Sequence, residues 1–184
     1  MSFYHDPLLL EELLKLKQKY NHSVFIETGT EMGDTVRTLV NYFDIIHSCE
    51  IDDKYYPSHV DLETNHKVKL YKGDSSIVLK DMLDDMVDSN FYLYLDAHWG
   101  VWPLKNELKL LKESELKPVL IIHDFDCDTV GLLYDVYEYN GVETKLDWNF
   151  IKEDIVLIYG ENGYDYHYNT KSIIDRGCVF IYPR

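Results

Sequence analysis

Apolar and polar positions along the chain change rhythm many times, and the changes mark its elements. Leu9, Leu10, Leu13, Leu14 and Leu16 recur at mostly helical spacing behind Asp6-Pro7. Asp is a favoured N-cap and Pro a favoured first helical residue, so a helix is predicted from Asp6-Pro7 to about Tyr20-Asn21. The chain then alternates short, continuous apolar runs with amphipathic stretches. Strands are predicted at Val24–Ile26, Ile45–Glu50, Val68–Tyr71, Phe91–Leu95, Pro118–Ile122, Ile155–Tyr159 and Cys178–Tyr182. Helices are predicted over Asp34–Phe43, Ile77–Val87, from Pro103 onward with Leu104, Leu108 and Leu111 on one face, and near Thr129–Asn140. Lys54–Thr64 reads as helical or irregular, and Gly160–Lys171 as a polar loop.

Strand runs that are apolar throughout, rather than alternating, are buried on both faces, as in parallel sheets with helical crossovers. The fold class is therefore α/β: a Rossmann-like, doubly wound, seven-stranded, mostly parallel sheet. The last two predicted strands, with no helix between them, would close it as a C-terminal antiparallel hairpin. The 184 residues suit one domain, since a domain takes roughly 100–200. Residues 1–22 would be an N-terminal helix and 23–184 the core.

Composition adds a strong charge imbalance. There are 33 acidic and 18 basic residues, a net charge of −15. Such a surface repels phosphate backbones and anionic lipid, so no nucleic-acid or membrane partner is expected. The 3 cysteines, Cys49, Cys127 and Cys178, form neither a disulfide framework nor a CxxC metal spacing. That odd, scattered set, with no signal peptide or ~20-residue apolar span, points to a reducing, cytoplasmic location.

The chemistry gathers at the carboxyl ends of the predicted strands, where open α/β sheets bind ligands. Glu27, Gly29, Gly33, Glu50, Asp74, Asp96, His98, His123, Asp124 and Asp126 all fall there. The first loop excludes two phosphate binders. Glu31 breaks the G-x-G-x-x-G fingerprint, and Asp34-Thr35 replaces the Gly-Lys of a P-loop. What remains is acid-x-Gly-x-x-x-Gly, which lets backbone approach a ligand while offering negative charge. S-adenosylmethionine, a sulfonium without phosphate, suits that loop. Glu50, 21 residues after Gly29, is placed to accept both ribose hydroxyls, and Asp74 to meet the adenine amino group.

Four segments, Phe25–Gly33, Cys49–Asp52, Lys72–Ser75 and Leu95–Trp99, resemble the class I S-adenosylmethionine-dependent methyltransferases over roughly residues 24–182. Within them the chain is most similar to small O-methyltransferases of the catechol and macrocin type. The resemblance implies cofactor contacts by Glu27, Gly29, Thr30, Gly33, Asp34, Thr35, Glu50, Ile51, Asp74, Ser75 and Asp96. In the catechol type an Asp-His-Trp-Lys segment and an Asp-Asn pair supply Mg²⁺ ligands and a lysine base. Here Asp96 and Asp124 match the metal positions. Ala97 is inserted before His98, Gly100 replaces the lysine, and Phe125 replaces the Asn, leaving a third ligand to Asp126. Such an oxygen set would take Mg²⁺ or Ca²⁺; the same aspartates would otherwise cap the helix and loop that follow.

With the lysine missing, His98 and His123 are the candidate bases, with Asp96 beside them; either imidazole is equally read as an ordinary hydrogen-bonded strand-end residue. Trp99, Trp102 and the tyrosines of 160–168 are candidate walls for the acceptor. The expected activity is O-methylation of a small hydroxylated acceptor, a sugar or a phenol. The alternative is a binding module that keeps the cofactor and has lost the transfer. With only one helix beyond the core, the acceptor pocket must come from the loops after the fourth and fifth strands, the 141–154 segment, and a second copy of the chain if it is a homodimer.

Overall fold

A computed structural model describes residues 3–98 and 102–184. Trp99 and Gly100, named above, lie outside the described residues. The first helix, α1 (Pro7–Tyr20), starts where its sequence says it should: the Asp6 carboxylate accepts from the Leu8 and Leu9 N–H groups at 3.2 and 3.3 Å. It ends at Asn21, left-handed at φ 53°, a conformation Asn tolerates better than most residues.

Five parallel strands follow, β1 (Val24–Thr28), β2 (Ile45–Glu50), β3 (Val68–Lys72), β4 (Phe91–Leu95) and β5 (Val119–His123). Between them lie α2 (Asp34–Leu39), a 3₁₀ turn with the short α3 (Val60–Glu63), α4 (Ser75–Asp84) and α5 (Leu104–Glu113). Every residue of β4 and β5 is buried, which is why their sequences are unbroken apolar runs.

Three predicted elements differ. The helix expected near Thr129–Asn140 is a hairpin of β6 (Val136–Tyr139) and β7 (Val142–Lys145). Asn140 and Gly141, at φ 53° and 78°, form its turn, and two positive φ values in succession are what a tight hairpin with native twist requires. The strand expected at Ile155–Tyr159 is the last part of α6 (Trp148–Tyr159), which buries Ile151, Ile155, Ile158 and Tyr159 at helical spacing. The loop expected at Gly160–Lys171 contains β8 (Tyr164–Tyr168), whose polar texture is that of an exposed sheet edge. The closing antiparallel pair is therefore β8 with β9 (Cys178–Pro183).

The seven-stranded sheet runs β3-β2-β1-β4-β5-β9-β8. Its order reverses between β1 and β4, where such sheets open a ligand cleft. The sheet separates two cores. One packs Leu108, Leu111, Ile151 and Ile155 against one face. The other packs α1 and the aromatic group Phe25, Phe43, Tyr92 and Tyr94 against the opposite face. Each such side chain contributes about 1.5–3 kcal/mol on burial. Among the described residues no helix is long and apolar enough to cross a membrane.

Candidate functional site

The loop after β1 is built by backbone geometry. Gly29 and Gly33 have φ of +87° and +83°, and a Cβ on Gly29 would stand 2.9 Å from the Asp96 carbonyl oxygen. The Gly29 and Thr30 N–H groups bond back to the Cys49 carbonyl, tying the loop to the end of β2. Glu50, next in line, accepts from the Glu31 N–H at 2.7 Å and the Asp52 N–H at 2.8 Å, which fixes its carboxylate. Arg37 holds the far side, donating to the Met32 carbonyl and to both oxygens of Asp61.

These elements bound a cleft of about 740 Å³ at the strand ends. Gly29, Glu50, Ile51, Asp74 and Ser75 line one part; Asp96 and His98 line another. Asp74 caps α4, accepting from the Ser76 N–H at 2.9 Å. Tyr55 and Asn106 also face the cleft, as does Tyr137 of the hairpin, and none of these was anticipated. Trp102 was, and it packs on Tyr137 with centroids 4.6 Å apart. The tyrosines of β8 do not line it; Tyr166 stacks on Trp148 at 4.1 Å, on the sheet edge.

The remaining expected cofactor residues, Glu27, Thr30, Gly33, Asp34 and Thr35, do not line the cleft. Glu27 is buried and accepts from Ser48 Oγ at 2.6 Å, with the Thr30 hydroxyl 2.7 Å from the same Ser48 oxygen. Burial pushes the Glu27 carboxyl up to about 8, with Ser48 and Thr35 only tempering the shift. Gly33 precedes α2 as its N-cap, and Asp34 faces His5 and Arg37. A second buried acid was missed. Both carboxyl oxygens of Glu107, on α5, are enclosed without an aligned hydrogen bond. Burial pushes Glu107 up to about 7, against the lowering effect of the nearby Ser75 and Thr28 hydroxyls.

The ends of β4 and β5 bring opposite charges together. His98 Nε2 is 2.9 Å from Asp124 Oδ2 and 3.4 Å from Asp96 Oδ1. Buried His123 lies 3.2 Å from Asp96 Oδ1, and is not on the cleft wall. Burial alone would lower both imidazoles, but the two carboxylates outweigh it and raise His98 to about 10 and His123 to about 9. The same pairing holds Asp96 and Asp124 well below the usual carboxylate range despite their burial.

Asp96, His98 and Asp124 each bring a ligand atom within 4.8 Å of the others. Asp96 Oδ1 and Asp124 Oδ1 are buried without an aligned hydrogen bond. Two such oxygens and one imidazole nitrogen suit a divalent cation. Asp126 is not in this group, and pairs instead with Lys145 at 3.1 Å.

No family model and no curated protein matches the sequence. Solved structures do match. A Staphylococcus aureus protein assigned as a caffeoyl-CoA O-methyltransferase has a TM-score of 0.59 at 13% identity, over 95% of this chain and 83% of that one. The Podospora anserina methyltransferase PaMTH1, solved with S-adenosylhomocysteine, gives 0.59 at 11% identity over 94% and 76%. The chain has the class I methyltransferase fold. CalS10, an amino pentose methyltransferase from Micromonospora echinaspora solved with S-adenosylmethionine, shares that fold at a TM-score of 0.55 and 12% identity, over 95% and 91%. At these identities the likeness extends to the fold, and the chemistry rests on the cleft of this chain.

Proposed function

We propose that the protein is an S-adenosylmethionine-dependent O-methyltransferase. The observation that carries this reading is the cleft at the sheet's switch point, where an open backbone at Gly29 faces the carboxylates of Glu50 and Asp74. That arrangement offers hydrogen-bond acceptors to a ribose and an adenine and presents no phosphate cradle. Its volume falls in the range of about 300–1,000 Å³ typical of ligand pockets, and the Asp96, His98, Trp102 and Tyr137 end is left for the acceptor.

Transfer breaks the S–CH₃ bond and forms an O–CH₃ bond in line, so alignment of the acceptor oxygen contributes most of the acceleration. Trp102 and Tyr137 offer aromatic surface to an aromatic acceptor. The reacting oxygen would lie against His98, which its carboxylate partners hold as an imidazolium at neutral pH. A positive charge there stabilises an oxyanion as it forms. A phenol, with a pKa near ~10, ionises beside such a charge by giving its proton to solvent water, since the imidazolium cannot take it, which favours a phenol over a sugar. When Asp96, His98 and Asp124 hold a divalent cation, that ion supplies the positive charge instead, as a Lewis acid.

The test is isothermal titration calorimetry with S-adenosylmethionine and S-adenosylhomocysteine. Micromolar binding is expected, weakened by Glu50→Ala and by Gly29→Val, whose Cβ would collide with the Asp96 carbonyl. Absence of heat with both ligands refutes the proposal. Binding without turnover over a broad phenol and sugar panel would favour the binding-module alternative.

A further inference from the structure

Arg176 lies between β8 and β9, outside the cleft, and was not anticipated as part of the site. Its backbone is held tightly. The Arg176 N–H donates to Ser172 Oγ at 3.0 Å, and its carbonyl accepts from Asn169 Nδ2 at 2.9 Å. Next to it, a Cβ on Gly177 would meet the Phe125 carbonyl oxygen at 1.9 Å, so only glycine lets this segment lie against the end of β5. The Gly177 N–H reaches the Leu133 carbonyl, and the Asp135 N–H reaches the Asp124 carbonyl. Three segments distant in sequence are thereby locked side by side, and each contributes one charged residue to the same cluster: Asp124, Asp135 and Arg176.

The charges close a ring. Arg176 Nη1 donates to Asp135 Oδ1 at 3.1 Å and lies 3.1 Å from Asp124 Oδ1. The opposite oxygens of the same carboxylates face His98: Asp124 Oδ2 is 2.9 Å from Nε2, and Asp135 Oδ2 is 3.4 Å from Nδ1. Asp96 Oδ1 and the Tyr137 hydroxyl are the other polar groups at that ring, at 3.4 and 3.5 Å. Each carboxylate thus bridges the arginine and His98 with its two oxygens divided between them, and Asp124 Oδ1 lies also 3.3 Å from His123 Nδ1.

We infer that Arg176 is a positioning residue, which clamps Asp124 and Asp135 so that their outer oxygens hold His98 by both ring nitrogens against the cleft. This rests on the reading of His98 as the group at the acceptor end. A guanidinium keeps its charge at any accessible pH, and its planar nitrogen meets two carboxylates without rearrangement. Without it Asp135 Oδ1 loses its cation, while Asp124 Oδ1 keeps only His123 Nδ1, at 3.3 Å. Asp135, on the lead into the hairpin, swings away and releases Nδ1.

The experiment is ring-nitrogen NMR of the full chain labelled with ¹⁵N-histidine, in chelated buffer at one fixed pH. The His98 signals are assigned by their loss in His98→Gln. In Arg176→Gln the Nδ1 and Nε2 resonances of His98 are expected to move, while those of His47 and His167 stay in place. Arg176→Lys, which keeps the charge, is expected to recover the wild-type pattern in part. Asp135→Asn, which keeps Arg176 on Asp124 and the backbone bonds of the 169–177 segment, is expected to move Nδ1 and spare Nε2. Superimposable His98 signals in Arg176→Gln overturn the proposal. So do movement of all histidines together with an unmoved Nδ1 in Asp135→Asn, or Arg176→Lys behaving no better than Arg176→Gln. S-adenosylhomocysteine affinity should stay within about twofold of wild type in Arg176→Gln, the scatter expected of sites that share no partner. A wild type that binds no S-adenosylhomocysteine would retire the cofactor reading and still leave the His98 spectra to decide the role of Arg176.

Discussion

Glu107→Gln should change the pH dependence of stability by an amount that follows from the structure. Glu107 is a carboxyl enclosed on α5, raised by burial from its ordinary value of 4.5 to about 7. Between those values the folded chain binds a proton there that the unfolded chain has lost. Stability contributed by the neutral acid is complete below the unfolded pKa and is lost as pH rises through the folded pKa. At about 1.4 kcal/mol per pKa unit, the shift is worth on the order of 3 kcal/mol at pH 8. A glutamine has the same shape and no proton to lose. Urea unfolding followed by tryptophan fluorescence, run on ligand-free wild type and Glu107→Gln at pH 5 and pH 8, isolates the effect as a double difference. The variant should gain on wild type by roughly 2.5 kcal/mol between the two pH values, or roughly 5–10 °C in melting temperature for a chain of this size. An equal difference at both pH values would show that the folded carboxyl titrates normally, and the account of its burial would be wrong.

Other perturbations test separate features. Manganese titration followed by electron paramagnetic resonance should show binding that Asp96→Asn and Asp124→Asn each weaken by at least ~10-fold, while Asp126→Asn leaves it unchanged; equal loss in all three would deny the ligand set. Gly141→Val introduces no clash, since its Cβ would meet nothing within 4 Å, yet it forces valine to φ +78°. That costs at least ~1–2 kcal/mol, read as lost hydrogen-exchange protection of the hairpin amides; unchanged protection would mean the turn is not of the two-positive-φ kind. Trp102→Ala removes a buried wall of the acceptor end and should lower stability by about 3–5 kcal/mol while cofactor affinity holds; a matching loss of affinity would place Trp102 in the cofactor half of the cleft.

The sheet was legible where burial on both faces stamps an unmistakable run, as in Phe91–Leu95 and Val119–His123. It was not legible where one face is wet. Tyr164–Tyr168 alternates aromatic with polar residues and reads as loop, and the apolar end of α6 reads as a strand when Trp148–Asp154 is left out of the window. The hairpin did carry its signal in Asn140-Gly141, overshadowed by helical spacing upstream. The same division governs the site. Glu50, Asp74, Asp96 and Asp124 stand at strand ends, so finding the strands finds them. Asp135, Tyr137 and Arg176 arrive on segments whose path was misread. Glu107 was visible in principle, as the lone acid on the face of α5 that carries Leu104, Leu108 and Leu111.

The helix α1 shares its core with β9: Leu9 and Leu13 belong to the same buried cluster as Cys178 and Phe180. Asp6 also binds Ser172 Oγ at 2.5 Å, and the Tyr20 hydroxyl reaches the Pro183 carbonyl. The helix α1 is therefore synthesised well before β9, which helps to cover its apolar face. Synthesis at about 5–20 residues per second leaves that face bare for many seconds. A nascent chain stalled before Cys178 should therefore still be cut by protease within α1.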